Sequence, residues 1–481
     1  MAYCSGNTRA QRLAPSLRPI QMALALLWVA SFSVVLYVAW TSRLLRPIAD
    51  DYPLAVSVKD GLFQGVWGWF QEWSGALTTM FFASLFTGLP LLHLPLPIAS
   101  ALPFLSTTFL IVTVAISFFV RALPGHNLQK SFVISLLFFP VLALTWWGFW
   151  WLPALTTGDF ASARQLALAV THWQTINTSY AIPATLLIWG WSFLETRKEV
   201  SKLGIRTCYL LLGVLSGFNG PTFAISSILM ISVIAVASQL RAQQKKTTRR
   251  LPWALALLGN AAAMLVSNFS PGSQRRKTAL ANPELNSDLF IKLLTEALPD
   301  GVIDWLYAII NPGAIVLLIV VTGFTAMISV HRLAPDTSFL VTIGLGLIGF
   351  SLVSSVVSRI MQFFSYDAFW HVAGPRTIAW LALTAIAMGL GARVTKKSWR
   401  NIVIPFAILG SAIGLLLSVK AIDLMCRGIT TRSVQWEIGP APLGGISDIE
   451  DPDAWVMLAW LELRTLRDAP ARGLKQTSGL P

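Results

Sequence analysis

Residues 76–92 read ALTTMFFASLFTGLPLL. The run is apolar enough to cross a bilayer, yet it contains Gly88 and Pro90 and passes directly into His93-Leu94-Pro95-Leu96-Pro97. Whether it crosses decides the orientation of everything downstream, because one added span reverses every later loop. If it does not cross, Arg121 and Lys130 and the basic runs 197–206, 241–250 and 393–400 all lie in the cytoplasm. If it does, all of them face outward, against the tendency of Lys and Arg to remain on the cytoplasmic side. The stretch therefore reads as an interfacial or re-entrant helix pair, lying in protein and not exposed to lipid.

Outward from it, apolar runs fall at 21–40, 98–120, 131–151, 173–193, 205–219, 221–240, 252–268, 311–330, 337–357, 375–393 and 401–419. A spanning helix needs about 20 such residues, and the pattern gives an all-α polytopic membrane protein of about 11 transmembrane helices. The first run follows Arg9, Arg12 and Arg18, exceeds the core of a signal peptide and has no small-residue cleavage site after it. It reads as a retained helix with its N-terminus in the cytoplasm. Composition agrees: 12% charged residues is roughly half the usual share, which excludes disorder and a disulfide-stapled secreted module. The net charge of +14 is assigned to basic cytoplasmic loops and not to nucleic-acid binding. Cys4, Cys208 and Cys426 are too scattered for a metal site. Residues 1–420 form the transmembrane domain, with a first extracytoplasmic loop at 43–97, and 421–481 form an extracytoplasmic cap with a helical segment at 453–466.

In this orientation only Glu195, Glu199 and Asp336 of the 22 carboxylates are cytoplasmic. The long polar segments 43–75, 152–172, 269–310, 358–374 and 420–481 share the outer side, and none has the size or pattern of a soluble catalytic domain. Chemistry is expected at the outer membrane–water boundary. Ile48-Ala49-Asp50-Asp51-Tyr52 follows the first span. Adjacent carboxylates near a membrane repel each other and are poorly solvated, which raises one pKa toward the range of a general base; the alternative is an N-cap of a short helix. An amphipathic, interfacial segment follows, with Phe63, Val66, Trp67 and Phe70 on one side, ending in Glu72-Trp73-Ser74-Gly75.

An Asp-Asp-Tyr soon after the first helix, an interfacial helix and a Trp-Ser-Gly element resemble the GT-C superfamily of polytopic glycosyltransferases, and within it a little-characterised bacterial branch. The resemblance implies a GT-C-like fold in a bacterial cytoplasmic (inner) membrane. It implies a polyprenyl-phosphate-linked sugar as donor, an envelope glycan or glycolipid as acceptor, and Asp50 or Asp51 as the base that activates the acceptor, with Tyr52 among the substrate contacts. The branch has a basic residue after Trp-Ser-Gly, where this chain has Ala76. A Pro-Gly-x-x-x-Arg-like element is matched by Pro271-Gly272 followed by Arg275 and Arg276. These cations are anomalous on the outer side, and an Arg fork suits the oxygens of a lipid-linked phosphate; contact with anionic headgroups is the other explanation. Arg376, at the outer end of a span, fits a second phosphate ligand by the same resemblance, or a snorkelling cation. The adjacent carboxylate of the dyad is also suited to a divalent metal.

His172, from the third outer loop, titrates near neutrality and suits phosphate binding or proton transfer, or is simply hydrated; Asp159 and Tyr180 flank it. Asp367 and His371 lie four apart and can pair. Trp146, Trp147, Trp150 and Trp151 read as an aromatic belt, or as sugar-stacking surfaces. No Walker A loop, His-Glu-x-x-His or Gly-x-Ser-x-Gly occurs. An O-antigen ligase or polymerase is the alternative enzyme. A transporter or lipid flippase is the alternative outside catalysis, although no internal repeat of the kind common in transporters is found.

Overall fold

The computed structural model describes residues 14–47, 50–123, 128–156, 167, 174–195, 203–243, 250–279, 289–329, 336–362, 373–394 and 400–438. Among these, all regular structure is helical. Eight helices are long and apolar enough to cross a membrane, as a polytopic membrane protein requires. They fall within α1 (Ala14–Ser42), α5 (Leu96–Ala122), α6 (Leu128–Thr156), α10 (Arg250–Asn268), α13 (Pro312–Ser329), α14 (Thr337–Gln362), α15 (Ala373–Val394) and α16 (Arg400–Ile438). Between them lie α2 (Asp51–Ser57), α3 (Leu62–Glu72), α4 (Leu77–His93), α8 (Leu203–Gly217), α9 (Pro221–Gln243) and α11 (Pro271–Ala279). Besides α4, described below, two helices carry an internal π turn. In α7, Gln174–Ile176 leads through the turn Asn177–Ala181 into Ile182–Glu195, and in α12, Leu289–Lys292 leads through Leu293–Ala297 into Leu298–Ile309.

The centre of the bundle is α6, packed by α1, α5, α13 and α16, with α15 against α13. The C-terminal half of α6 is therefore buried nearly all round, and its tryptophans fill core volume. Trp146, Trp147, Trp150 and Trp151 are all buried. Trp146 meets Trp380 edge-on, while Trp147 stacks on Phe104 and donates from Nε1 to the Thr108 hydroxyl at 3.1 Å. The belt expected from their spacing is a core cluster instead, because an indole satisfies packing as well as an interface does. A second group, α8, α9 and α10, joins the first where α9 packs on α14 and α7 on α8.

The deciding stretch forms one helix and not a helix pair. Within α4 the turn Ser84–Gly88 widens to a π turn, closed by Leu89 N–H to Ser84 C=O. Pro90 follows it. A proline ring needs room at the carbonyl four residues earlier, and a widened turn there lets the helix continue without a break. Its first turn is tied to the link between α8 and α9: Thr78 N–H to Phe218 C=O at 3.1 Å, Thr78 hydroxyl to Leu215 C=O at 2.9 Å, and Thr79 hydroxyl to Asn219 Oδ1 at 2.9 Å. At its other end Leu91 clusters with Tyr52 and Ala55, which precede it, and with Ala99, which follows it. Residues before and after α4 thus meet on one side of it, and α2 and α3 cover it.

The last helix, α16, passes position 420 without a break and reaches Ile438, with Asp423 and Arg427 paired at 2.6 Å on its exposed face. The expected cap therefore begins as a continuation of a membrane helix; 439–481, including the helical segment anticipated at 453–466, lie outside the described residues.

Candidate functional site

The two aspartates face different surroundings. Asp51 opens α2 and is fully buried. Its Oδ1 accepts the Thr175 backbone N–H at 2.7 Å and the Thr175 hydroxyl at 2.5 Å. A buried carboxylate is tolerable only with such donors, and Asp51 is thereby committed to holding the start of α7. Asp50 occupies the N-cap position but its side chain makes no capping bond. It keeps solvent-accessible surface, although protein encloses it at longer range. That enclosure pushes its carboxyl up from 3.8 to about 6, and the Arg276 guanidinium pulls the other way.

Arg276 arrives on α11, which the local sequence builds cleanly. The Ser270 hydroxyl accepts Ser273 N–H at 3.2 Å, an N-cap followed by Pro271 in the first turn. The helix docks on α3 and on Trp73-Ser74-Gly75. Gly75 N–H donates to the Ser273 hydroxyl at 2.9 Å. A Cβ at Gly272 would lie 2.6 Å from the Trp73 nitrogen, and one at Gly75 would strike the Ser267 carbonyl. The glycines of the two short motifs are therefore explained by a single backbone-to-backbone approach.

Consecutive arginines on α11 then diverge, as helical residues 100° apart must. Arg275 is exposed and pairs with Glu72. Arg276 turns inward, its guanidinium 5.4 Å from the centre of the Trp73 ring. Burial draws Arg276 below its ordinary range, while Tyr180 and Asp50 sustain its charge. Tyr180, on the π turn of α7, lies within electrostatic reach of both. Asp50, Arg276 and Tyr180, carried by three distant segments, thus act on one another electrostatically.

Tyr52 is not part of that group. It is buried, and its hydroxyl donates to the Pro47 carbonyl at 2.5 Å, so it braces the loop leaving α1. Arg376 stands in a second charged group. Its guanidinium lies 5.7 Å from the Trp150 ring centre, its buried Nε has no hydrogen-bond partner among the described residues, and Asp304 acts on it electrostatically. Asp304 itself pairs with Arg359. The α15 helix that carries Arg376 packs on the π turn of α7, which brings the two groups to neighbouring elements. His172, Asp159, Asp367 and His371 lie outside the described residues.

The sequence pattern gave no hint of Thr175, and no role was assigned from it to Asp304, Arg359 or Tyr180. A cation at a helix end calls for a counter-charge, and Asp300 and Asp304, four apart, were the available signal. A divalent metal finds no ready cradle among the described residues. No group of three or more His, Cys, Asp or Glu side chains comes together there. Asp51 is engaged by Thr175 while Asp50 faces a guanidinium, so the dyad does not close on one ion. No known protein family, curated protein or solved structure matches the chain.

Proposed function

We propose that this protein is a membrane glycosyltransferase of GT-C type, transferring a sugar from a polyprenyl-phosphate donor to an envelope glycan or glycolipid at the outer face of a bacterial inner membrane. The observation that carries the reading is the electrostatic pairing of Asp50, its carboxyl pushed up to about 6, with the inward-facing guanidinium of Arg276. In the transfer, the acceptor oxygen forms a bond to the anomeric carbon and its proton passes to Asp50. The bond from that carbon to the phosphate oxygen breaks, and the electron pair leaves with the polyprenyl phosphate. Arg276 balances the charge that grows on the departing phosphate. Arg376 supplies a second cation from the adjoining helix. Asp51 has no part in the bond changes.

Eleven spans and a shared outer face are supported by parity. The α3–α11 contact joins residues separated by α5, α6, α7, α8, α9 and α10. If each of those six helices crosses once and α4 does not, the two sites return to the same side. The bonds from Asp336 N–H to Ala122 C=O at 2.6 Å and from Arg121 to the Ser192 hydroxyl at 2.9 Å agree with the same count at the opposite face.

The test is sugar transfer in membranes containing Asp50→Asn, Arg276→Lys or wild-type protein, inserted at equal levels. Loss of a general base typically costs about 10²–10⁴-fold in rate, and Arg276→Lys removes the bidentate fork. Undiminished transfer by Asp50→Asn would refute the reading. Movement of lipid across liposomes without a new glycosidic bond would identify a flippase.

A further inference from the structure

The start of α7 is fastened more firmly than a helix end requires. Besides the Asp51–Thr175 bonds, the Thr178 and Thr87 hydroxyls meet at 2.9 Å, and Gln174 Nε2 donates to the Ser100 carbonyl at 3.3 Å. These ties converge on the π turn Asn177–Ala181, closed by Ile182 N–H to Asn177 C=O. Within that turn Asn177, Thr178, Ser179 and Ala181 are buried, and Tyr180 is the residue that keeps accessible surface. Five residues along a regular helix turn about 500°, which would point Tyr180 well away from Thr175. A π turn takes up about one extra residue and so turns Tyr180 back from that direction, and Tyr180 lies within electrostatic reach of Asp50 and Arg276.

A phenol, with an ordinary pKa near 10, is a hydrogen-bond donor at neutral pH. Beside a guanidinium it completes a pair of donors suited to one anion, and bonds of this charge-assisted kind are the strong ones. Asp50 offsets part of the positive charge of Arg276, so an anion must be gripped by directed bonds and not by charge alone.

We propose that Tyr180 is a substrate-contacting residue whose hydroxyl donates to the lipid-phosphate oxygen held by Arg276, and that Asp51, through Thr175, is the residue that positions it. This rests on the donor class proposed above, but not on sugar transfer itself. π turns recur at functional sites in helices, and here the irregular turn, its three ties and the partly exposed Tyr180 have one common explanation.

The experiment measures binding of decyl phosphate, and of decyl glucoside as an uncharged control, to the purified full-length protein. A hydrogen bond to a charged group is worth about 1.5–3 kcal/mol, or roughly 10-fold or more in affinity. Tyr180→Phe is expected to weaken decyl phosphate by that factor and to leave decyl glucoside unchanged. Thr175→Val should weaken the phosphate similarly, and Thr175→Ser, which restores the hydroxyl, should recover it. Unchanged phosphate affinity in Tyr180→Phe overturns the contact, as does equal weakening of both probes or an absence of phosphate binding by the wild type. Unchanged affinity in Thr175→Val overturns the positioning role. Phosphate binding that depends on Tyr180 in a protein that transfers no sugar would sustain this inference while ending the glycosyltransferase reading.

Discussion

Asp50 and Asp51 are identical in the sequence and opposite in the structure. The first keeps contact with solvent and the second is sealed against Thr175, 124 positions away. The pair was legible as a candidate; the division of labour was not, because it depends on helix register and on a partner that no local pattern reveals. The difference has a pH signature. The folded-state pKa of Asp50, about 6, lies above the ordinary 3.8, so between those values the folded protein holds more protons than the unfolded chain. Stability must then fall as pH rises through that window and level off above it. The base form exists above pH 6, and transfer should rise through the same point. Asp50→Asn is expected to flatten this part of the thermal-stability profile and to raise the melting temperature at pH 7.5, while abolishing transfer. A scan of melting temperature against pH in detergent checks this, and an unchanged slope in the variant would show that Asp50 is not the group concerned.

At the level of elements, α11 shows how the two arginines that the sequence marked as anomalous are accommodated. Arg275 has Glu72 as its partner and Arg276 faces Asp50, so local counter-charges from the first loop offset an orientation cost that the sequence alone shows only as an exception. Which arginine turned inward was open until the helix register was known. The seam depends on glycine as much as on charge. Gly272→Ala places a methyl against the Trp73 backbone, where nothing flexible can yield. Overpacking of this kind costs about 1–3 kcal/mol and should shift α11 from α3. The expected result is a lower melting temperature together with reduced transfer, whereas Gly68→Ala, inside α3 where a Cβ meets open space, should lower neither. Other elements misled for identifiable reasons. Gly88 and Pro90 are breakers in isolation, but a widened turn absorbs them. The Trp146–Trp151 cluster matches an interface by composition, and burial shows only when its neighbours are known.

Across the whole molecule, hydrophobic run lengths were enough to anticipate a polytopic helical bundle, since each spanning helix is locally encoded. The convergence of loops was only partly legible: charge rules give the side of the membrane, not the neighbour. The topology makes a direct prediction. In a background lacking Cys4, Cys208 and Cys426, a membrane-impermeant maleimide should label Gln274→Cys in intact cells, and Gly204→Cys only after permeabilisation. Labelling of both in intact cells, or of neither before permeabilisation, contradicts the proposed orientation. The separation of bonded partners also bears on biogenesis. Glu72 and Arg275 are 203 positions apart, and at 5–20 residues per second a ribosome needs about 10–40 s to deliver the second after the first. Throughout that interval the nascent first loop waits without α11 and, for much of it, with the Asp51 carboxylate unmet. A chain released before residue 270 leaves that loop incomplete, which makes it the natural place for quality-control proteases to recognise an unfinished molecule.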